Sequence, residues 1–164
     1  MVGRGLDGPY PPFLPRPMSI GSARDGRVGL LVRVFGRGSR ALAAMRPGDR
    51  ALLLGPLGRP FELGSARRVA CVAGGVGLAP FLFLPAWARA RRPDAHVRLL
   101  YGERTGAAVF DPARIAEIAG CEPEVWTEDG TRGRRGLVTD GLDWTAHDLV
   151  LACGPTPMLR AVQA

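Results

Sequence analysis

Between Arg16 and Leu63 the apolar positions fall in short runs separated by turn residues. RPMSI (16–20) reads as a strand. RVGLLVRVF (27–35) reads as a second, with alternation through Leu31, Arg33 and Phe35. RALAAM (40–45) has the spacing of one or two helical turns, DRALLLG (49–55) that of a third strand, and GPLGRPF closes the region with turn residues. Several short strands with frequent turn signals predict a barrel or sandwich. The segment before Arg16 carries four prolines between Pro9 and Pro15. Each proline removes a ladder donor, so this segment is not a central strand.

From Ala66 onward the pattern changes to alternating strands and helices. Strands are predicted at 68–73, 96–101, 122–127 and 148–153, with helices near 79–91, 111–118 and 156–163. Such alternation predicts a parallel sheet built from βαβ units. The expected domains are therefore 1–64, a small antiparallel β domain, and 65–164, an α/β domain. In open parallel sheets, ligands bind beyond the carboxyl ends of the strands. Four turns stand there: GGVG (74–77), GERT (102–105), EDGT (128–131) and CGPTPM (153–158). The stretch VACVAGGVGLAPF (69–81) runs from a buried strand into glycines and then a proline. Gly75 and Gly77 match the first two glycines of a dinucleotide fingerprint, but Pro80 stands where the third would be. By itself this leaves a phosphate-binding turn and a plain βα turn both open.

Composition narrows the choice. The chain has 164 residues, is 46% hydrophobic and 23% charged, and so is globular rather than disordered. No run of about 18 uncharged apolar residues appears, so no membrane span is expected. The first residues lack the order of a signal peptide, and a cytoplasmic location is the expectation. The net charge is +7, and all 22 basic residues are arginines. They are spread along the chain rather than clustered on one element, which argues against nucleic acid as the partner. Cys71, Cys121 and Cys153 are far apart, with no metal-ligand spacing, so no metal site is expected. His96 and His147 are isolated, leaving no convincing acid–base pair.

RPMSI, LVRVFGRGS, GPLGRPF, AGGVGLAP, YGERT, TEDGTRGRRGLVTD and CGPTPML occur in the order and spacing of the ferredoxin–NAD(P) reductase superfamily. More narrowly, the chain resembles the electron-transfer subunits of heterodimeric dihydroorotate dehydrogenases over nearly its whole length. The resemblance implies a partial antiparallel FAD-binding β-barrel followed by a Rossmann-like, parallel-sheet NAD-binding domain. It implies FAD contacts from Arg16, Pro17, Met18 and Ser19, with the guanidinium on the pyrophosphate and the Ser19 hydroxyl near flavin N5. Further flavin contacts are implied for Leu31, Val32 and Arg33, and a phosphate-facing turn for Gly38 and Ser39. For NAD it implies Gly74, Gly75 and Gly77 at the pyrophosphate and Cys153, Gly154 and Pro155 beside the nicotinamide. Ser19 and Cys153 are thus the expected reaction-centre residues, with the thiol packing against the reacting carbon and Met158 packing on the following helix. Glu128 and Asp129 favour NAD over NADP, because they repel a 2′-phosphate and can accept a bond from a free ribose hydroxyl.

Two departures follow from the same resemblance. Only fifteen residues precede Arg16, so about half of the family's barrel is expected to be absent. The family's cysteine-rich [2Fe-2S] segment is expected to be absent too, since three scattered cysteines cannot supply four ligands. The expectation is a fragment or a misassigned reading frame, with weak FAD binding by itself. The implied partner is the FMN-containing, dihydroorotate-oxidising catalytic subunit, in a heterotetramer serving pyrimidine synthesis. Two alternatives stand beside this: a reductase subunit of another complex, such as a hydrogenase or glutamate synthase, and a nucleotide-binding module without turnover.

Overall fold

The computed structural model describes residues 15–163. The described residues divide into two compact units, one formed by 19–31 with 61–163, the other by 32–60 with 15–18. The expectation for the proline segment lies outside the described residues, apart from Pro15.

In the larger unit, β1 (Ile20–Arg24) and β2 (Arg27–Leu30) form an antiparallel hairpin. Asp25 and Gly26 connect them with φ of 50° and 69°. Two left-handed residues give the turn twist that matches paired strands, which is why Asp-Gly favours this connection. The predicted strand 16–20 contributes only Ile20, and 27–35 ends at Leu30 because its pairing ends there, Ile20 opposite Leu30. Arg24 ties the hairpin to the body of the unit through Nη2, which donates to the Ile118 carbonyl at 3.2 Å.

The smaller unit holds one short helix, α1 (Arg37–Ala43), shifted from the predicted 40–45. No strand forms at 49–55, and Leu52, Leu53 and Leu54 are exposed.

The parallel sheet comprises β3 (Arg68–Gly74), β4 (His96–Glu103), β5 (Glu124–Thr127), β6 (Arg134–Arg135) and β7 (Leu149–Cys153), in the spatial order β6-β5-β4-β3-β7. β5 starts two residues later than predicted, after Pro123, which cannot donate to a ladder. The predicted helix 79–91 is two elements, a 3-10 helix (Gly75–Phe81) and α2 (Leu84–Arg91). Pro85 lies in the first turn of α2, where its missing N–H costs no bond. α3 (Pro112–Ala119) starts on the Asp111 side chain, which accepts from the Ala113 amide at 3.1 Å, and stops at left-handed Gly120. α4 (Thr156–Gln163) matches its prediction.

Alternation along the strands sorts side chains onto two cores. Val69, Cys71, Ala73, Leu99 and Tyr101 face Leu78, Phe81, Leu84, Ala88 and Ile115. Ala70, Val72, Leu100 and Trp126 face Val138 and Leu142, with Met158 and Val162 of α4 partly covering them. Burial on both faces is what a parallel sheet requires, and it explains the unbroken apolar run of β3. No helix among the described residues is long and apolar enough to cross a membrane.

The amino edge of the sheet is held by charge. Asp148 accepts from the Arg67 and Arg68 amides at 3.0 and 2.9 Å and from Arg68 Nε and Nη2 at 3.0 and 2.6 Å. The Arg68 guanidinium and these amides hold its carboxyl well below the usual carboxylate range. A carboxyl with a depressed native pKa stabilises the fold above its unfolded pKa of about 4, and that contribution is lost as pH falls. Asp148→Asn is therefore expected to lower the urea midpoint at neutral pH. Its deficit against wild type should shrink steadily on acidification below about pH 4. A deficit that stays constant into acid would contradict this role for the charge.

Candidate functional site

The strand order reverses at β3. Successive strands β4, β5 and β6 lie to one side, while β7 lies on the other. This is the topological switch point where open α/β sheets bind their ligands. The turns leaving β3 and β7 meet there, because Ala73 pairs with Cys153 at the carboxyl end of the two strands.

These turns interlock. A Cβ on Gly77 would lie 2.1 Å from the Cys153 carbonyl oxygen. A Cβ on Gly74 would lie 2.7 Å from both Met158 Sδ and Pro155 Cδ. A Cβ on Gly154 would lie 3.0 Å from Gly74 Cα and 2.7 Å from Met158 Cε. The structure thus brings Gly74, Gly77, Cys153, Gly154, Pro155 and Met158 together, and it uses the smallness of Gly74 and Gly77 for turn-to-turn packing. Gly75 differs: its φ of 58° reverses the chain into the 3-10 helix. Cys153 is half-buried, and burial pushes its thiol up, so it stays neutral at physiological pH. A neutral group suits a site for an anionic dinucleotide.

Glu128 and Asp129 open the turn after β5, and both are exposed. Asp129 is tied into the turn. Its Oδ1 accepts from the Thr131 amide at 3.0 Å and from the Thr131 hydroxyl at 2.7 Å, which together hold its carboxyl below the usual range. Beyond this turn, Arg134 places its guanidinium over the Trp126 ring, 5.5 Å from the centroid. The rim formed by these carboxyl-end turns, with a neutral thiol, a left-handed glycine and free acceptors, fits a dinucleotide in the chemistry of its groups.

Ser19 precedes Ile20 and Leu31 follows Leu30, so the two flank the open end of the hairpin. Leu31 packs on the larger core, and Ser19 is exposed. In the smaller unit Arg16 lies over Gly38, where a Cβ would approach Arg16 Nε to 2.8 Å. Arg16, Pro17 and Arg33 are exposed, while Met18 and Val32 are half-buried. Ser39 uses its hydroxyl on its own turn, accepting from the Phe35 and Gly36 amides at 2.8 and 2.9 Å and donating to the Gly36 carbonyl at 3.1 Å. The exposed guanidiniums fit an anionic flavin nucleotide in charge, and the Ser39 hydroxyl is committed to its own turn. An iron–sulfur cluster does not fit: among the described residues no group of three or more His, Cys, Asp or Glu side chains could hold a metal. Cys71 is fully buried in mid-strand, and its thiol is pushed up to about 12.

The sequence reading missed two polar features at this edge. Tyr101 and Glu103 are buried at the end of β4, with the phenol donating to Glu103 Oε1 at 3.1 Å and accepting from the Phe110 amide at 3.2 Å. Thr127, fully buried at the end of β5, donates to the Arg132 carbonyl at 2.7 Å and accepts from the Arg132 amide at 3.2 Å. The Asp-x-Thr spacing of 129–131 is the one local signal that points to such a turn. The isolated His147 is also partnered at the opposite edge, with Nδ1 donating to the Asp143 carbonyl at 2.7 Å and Nε2 accepting from Arg98 at 3.2 Å.

Comparison with known proteins agrees with this architecture. The chain is 35% identical over 153 residues to the dihydroorotate dehydrogenase B (NAD(+)) electron transfer subunit of Caldanaerobacter subterraneus subsp. tengcongensis, covering 92% of this chain and 59% of that protein. It is 37% identical over 158 residues to the subunit of the same name from Bacillus caldolyticus, covering 92% and 60%. The chain thus spans about 60% of the length of these relatives. Among solved structures, an NADH-dependent reduced ferredoxin-NADP oxidoreductase studied for flavin-based electron bifurcation superposes with a TM-score of 0.68 at 28% identity, over 88% of this chain and 53% of that one. The antiparallel pair and parallel sheet share the ferredoxin reductase-like arrangement. Residues 71–164 match the profile of the oxidoreductase NAD-binding domain, a span that begins inside β3 and takes in every turn of the rim. By that match, covering more than half of its length, the chain belongs to the oxidoreductase NAD-binding domain family.

Proposed function

We propose that this chain is the nucleotide-handling part of an electron-transfer flavoprotein, binding NAD(H) at the switch point of its parallel sheet. In this reading Gly75, Cys153, Gly154 and Pro155 line the nicotinamide and pyrophosphate, and Glu128 faces the adenosine ribose. In the smaller unit Arg16, Pro17, Met18, Val32 and Arg33 are the candidate FAD contacts, and in the larger unit Ser19 and Leu31 are. The observation that carries the reading is the meeting of the β3 and β7 turns where the strand order reverses. When bound together, the two cofactors supply hydride transfer between nicotinamide and flavin. The chain's own residues bind, orient and exclude water, and the neutral Cys153 thiol packs without acting as a nucleophile. The names of the relatives support a dihydroorotate dehydrogenase catalytic subunit as the redox partner.

A second reading, a reductase subunit for another redox complex, draws support from the likeness to the NADH-dependent ferredoxin-NADP oxidoreductase. Titration of the purified chain with NADH, in the presence of added FAD and without oxygen, tests the common core of both. NADH is expected to bind and to bleach the visible flavin band. Binding without bleaching would leave a nucleotide-binding module and overturn the electron-transfer reading. Absence of NADH binding at saturating concentration would overturn the reading altogether. Delivery of the electrons to a dihydroorotate-oxidising subunit, rather than to ferredoxin, then separates the two partners.

A further inference from the structure

The turns after β4 and β5 are bolted together through one hydroxyl. Thr131 Oγ1 accepts from the Gly106 amide at 2.7 Å and donates to Asp129 Oδ1 at 2.7 Å. A threonine hydroxyl has a single proton, so donation to Asp129 fixes its orientation and leaves its lone pairs for Gly106. The same two turns are joined by the Glu128 amide on the Glu103 carbonyl at 3.2 Å and the Asp129 amide on the Arg104 carbonyl at 3.3 Å. The fit at Gly106 is close, since a Cβ there would lie 2.7 Å from Thr131 Oγ1 and 2.8 Å from Arg132 Cβ. Between these anchors stands Glu128, exposed, its carboxylate making no hydrogen bond or ion pair among the described residues.

We propose that Thr131 is a positioning residue for nucleotide selection: by clamping Asp129 and Gly106 it holds the rim rigid and leaves Glu128, not Asp129, to read the adenosine ribose. The proposal rests on the NAD(H)-binding reading above. It deepens that reading by dividing two adjacent carboxylates into a structural one and a ligand-facing one. Asp129 acts on the turn, because its Oδ1 already takes two donors from Thr131. Thr131 touches no ligand and acts through the place it gives to Glu128.

Calorimetric titration of the whole chain with NAD⁺ and with NADP⁺ tests this. Thr131→Val keeps the shape and removes the hydroxyl. It is expected to weaken NAD⁺ binding about tenfold, the worth of one lost hydrogen bond, and to leave NADP⁺ binding nearly unchanged. Thr131→Ser should restore the wild-type preference. Glu128→Gln should weaken NAD⁺ binding to a similar degree. Adding Thr131→Val to Glu128→Gln should then cost little more, because residues acting through one contact are not additive. Faster amide hydrogen exchange at Gly106 in Thr131→Val would report the opened clamp without any ligand. Equal losses from Thr131→Val in both backgrounds, or equal losses for both nucleotides, would make the role merely structural and overturn the proposal. So would NAD⁺ binding that Thr131→Val leaves untouched. Failure of the wild-type chain to bind either nucleotide would instead strike the underlying reading, and the proposal with it.

Discussion

Gly77→Ala is expected to lower the thermal midpoint by roughly 10 °C, from a loss of about 3 kcal/mol in a chain of this size. The added methyl would meet the Cys153 carbonyl oxygen at 2.1 Å, its carbon at 2.5 Å and the Gly154 nitrogen at 2.9 Å. All three are backbone atoms, fixed by the pairing of β7 with β3, and none can rotate aside. Relief requires the two turns to part, so NAD⁺ binding should fail together with stability. Gly74→Ala meets a different obstacle, Met158 Sδ at 2.7 Å and the Pro155 ring at 2.7 Å, and the flexible methionine can yield. It should therefore cost less than Gly77→Ala. Gly36→Ala, where a Cβ meets nothing within 4 Å, serves as the control. It should cost about 1 kcal/mol or less, the usual difference between glycine and alanine at a helix N-cap. Thermal unfolding of the three variants side by side would decide the matter, and an indistinguishable Gly77→Ala and Gly36→Ala would refute the interlock.

Phe81→Ala should remove about 4 kcal/mol, within the usual range for a buried aromatic truncated in a core. Phe81 is 0% exposed, and its ring stacks on Phe61 with centroids 5.1 Å apart and planes 17° from parallel. It is the last residue of the 3-10 helix that begins at Gly75, so its packing anchors the far end of the candidate nucleotide turn. A small domain holds only about 5–15 kcal/mol in reserve, and this change takes a large share of it. Phe81→Leu keeps most of the volume and should cost about 1.5 kcal/mol or less. Urea unfolding of both variants measures the gap. If the alanine variant lost no more than the leucine variant, the ring would not be the anchor described.

Much of the parallel sheet could be read from residues alone, for reasons particular residues make plain. Arg68–Gly74 is a nearly continuous apolar run because both faces of β3 are covered. α4 begins after the turn at Gly154-Pro155 and its range was predicted correctly. The run 27–35 misled beyond Leu30, because alternation marks a surface able to pair and does not say how far a partner runs beside it. β6 escaped notice because two residues, Arg134 and Arg135, carry no period at all. The candidate site divides in the same way. The glycines of 74–77 were visible as a turn, but the occupant of the space beside each was not. Thr131 gave only a local turn signal, because its other partner, Gly106, is brought to it by the register of neighbouring strands.

The amino-acid order by itself determined the four longer strands and the approximate places of the α-helices in 66–163, where the tight turns at the strand ends fall, and that these ends carry glycine, carboxylate and thiol. Tertiary structure alone decided that β7 sits beside β3 rather than beyond β6. That placement drives one turn's carbonyl into the space left by Gly77 and makes a single rim of scattered loops. Local periodicity reports which face of an element is apolar. The choice of neighbour is made by the burial and close packing of many faces at once, and no short stretch of the chain contains it.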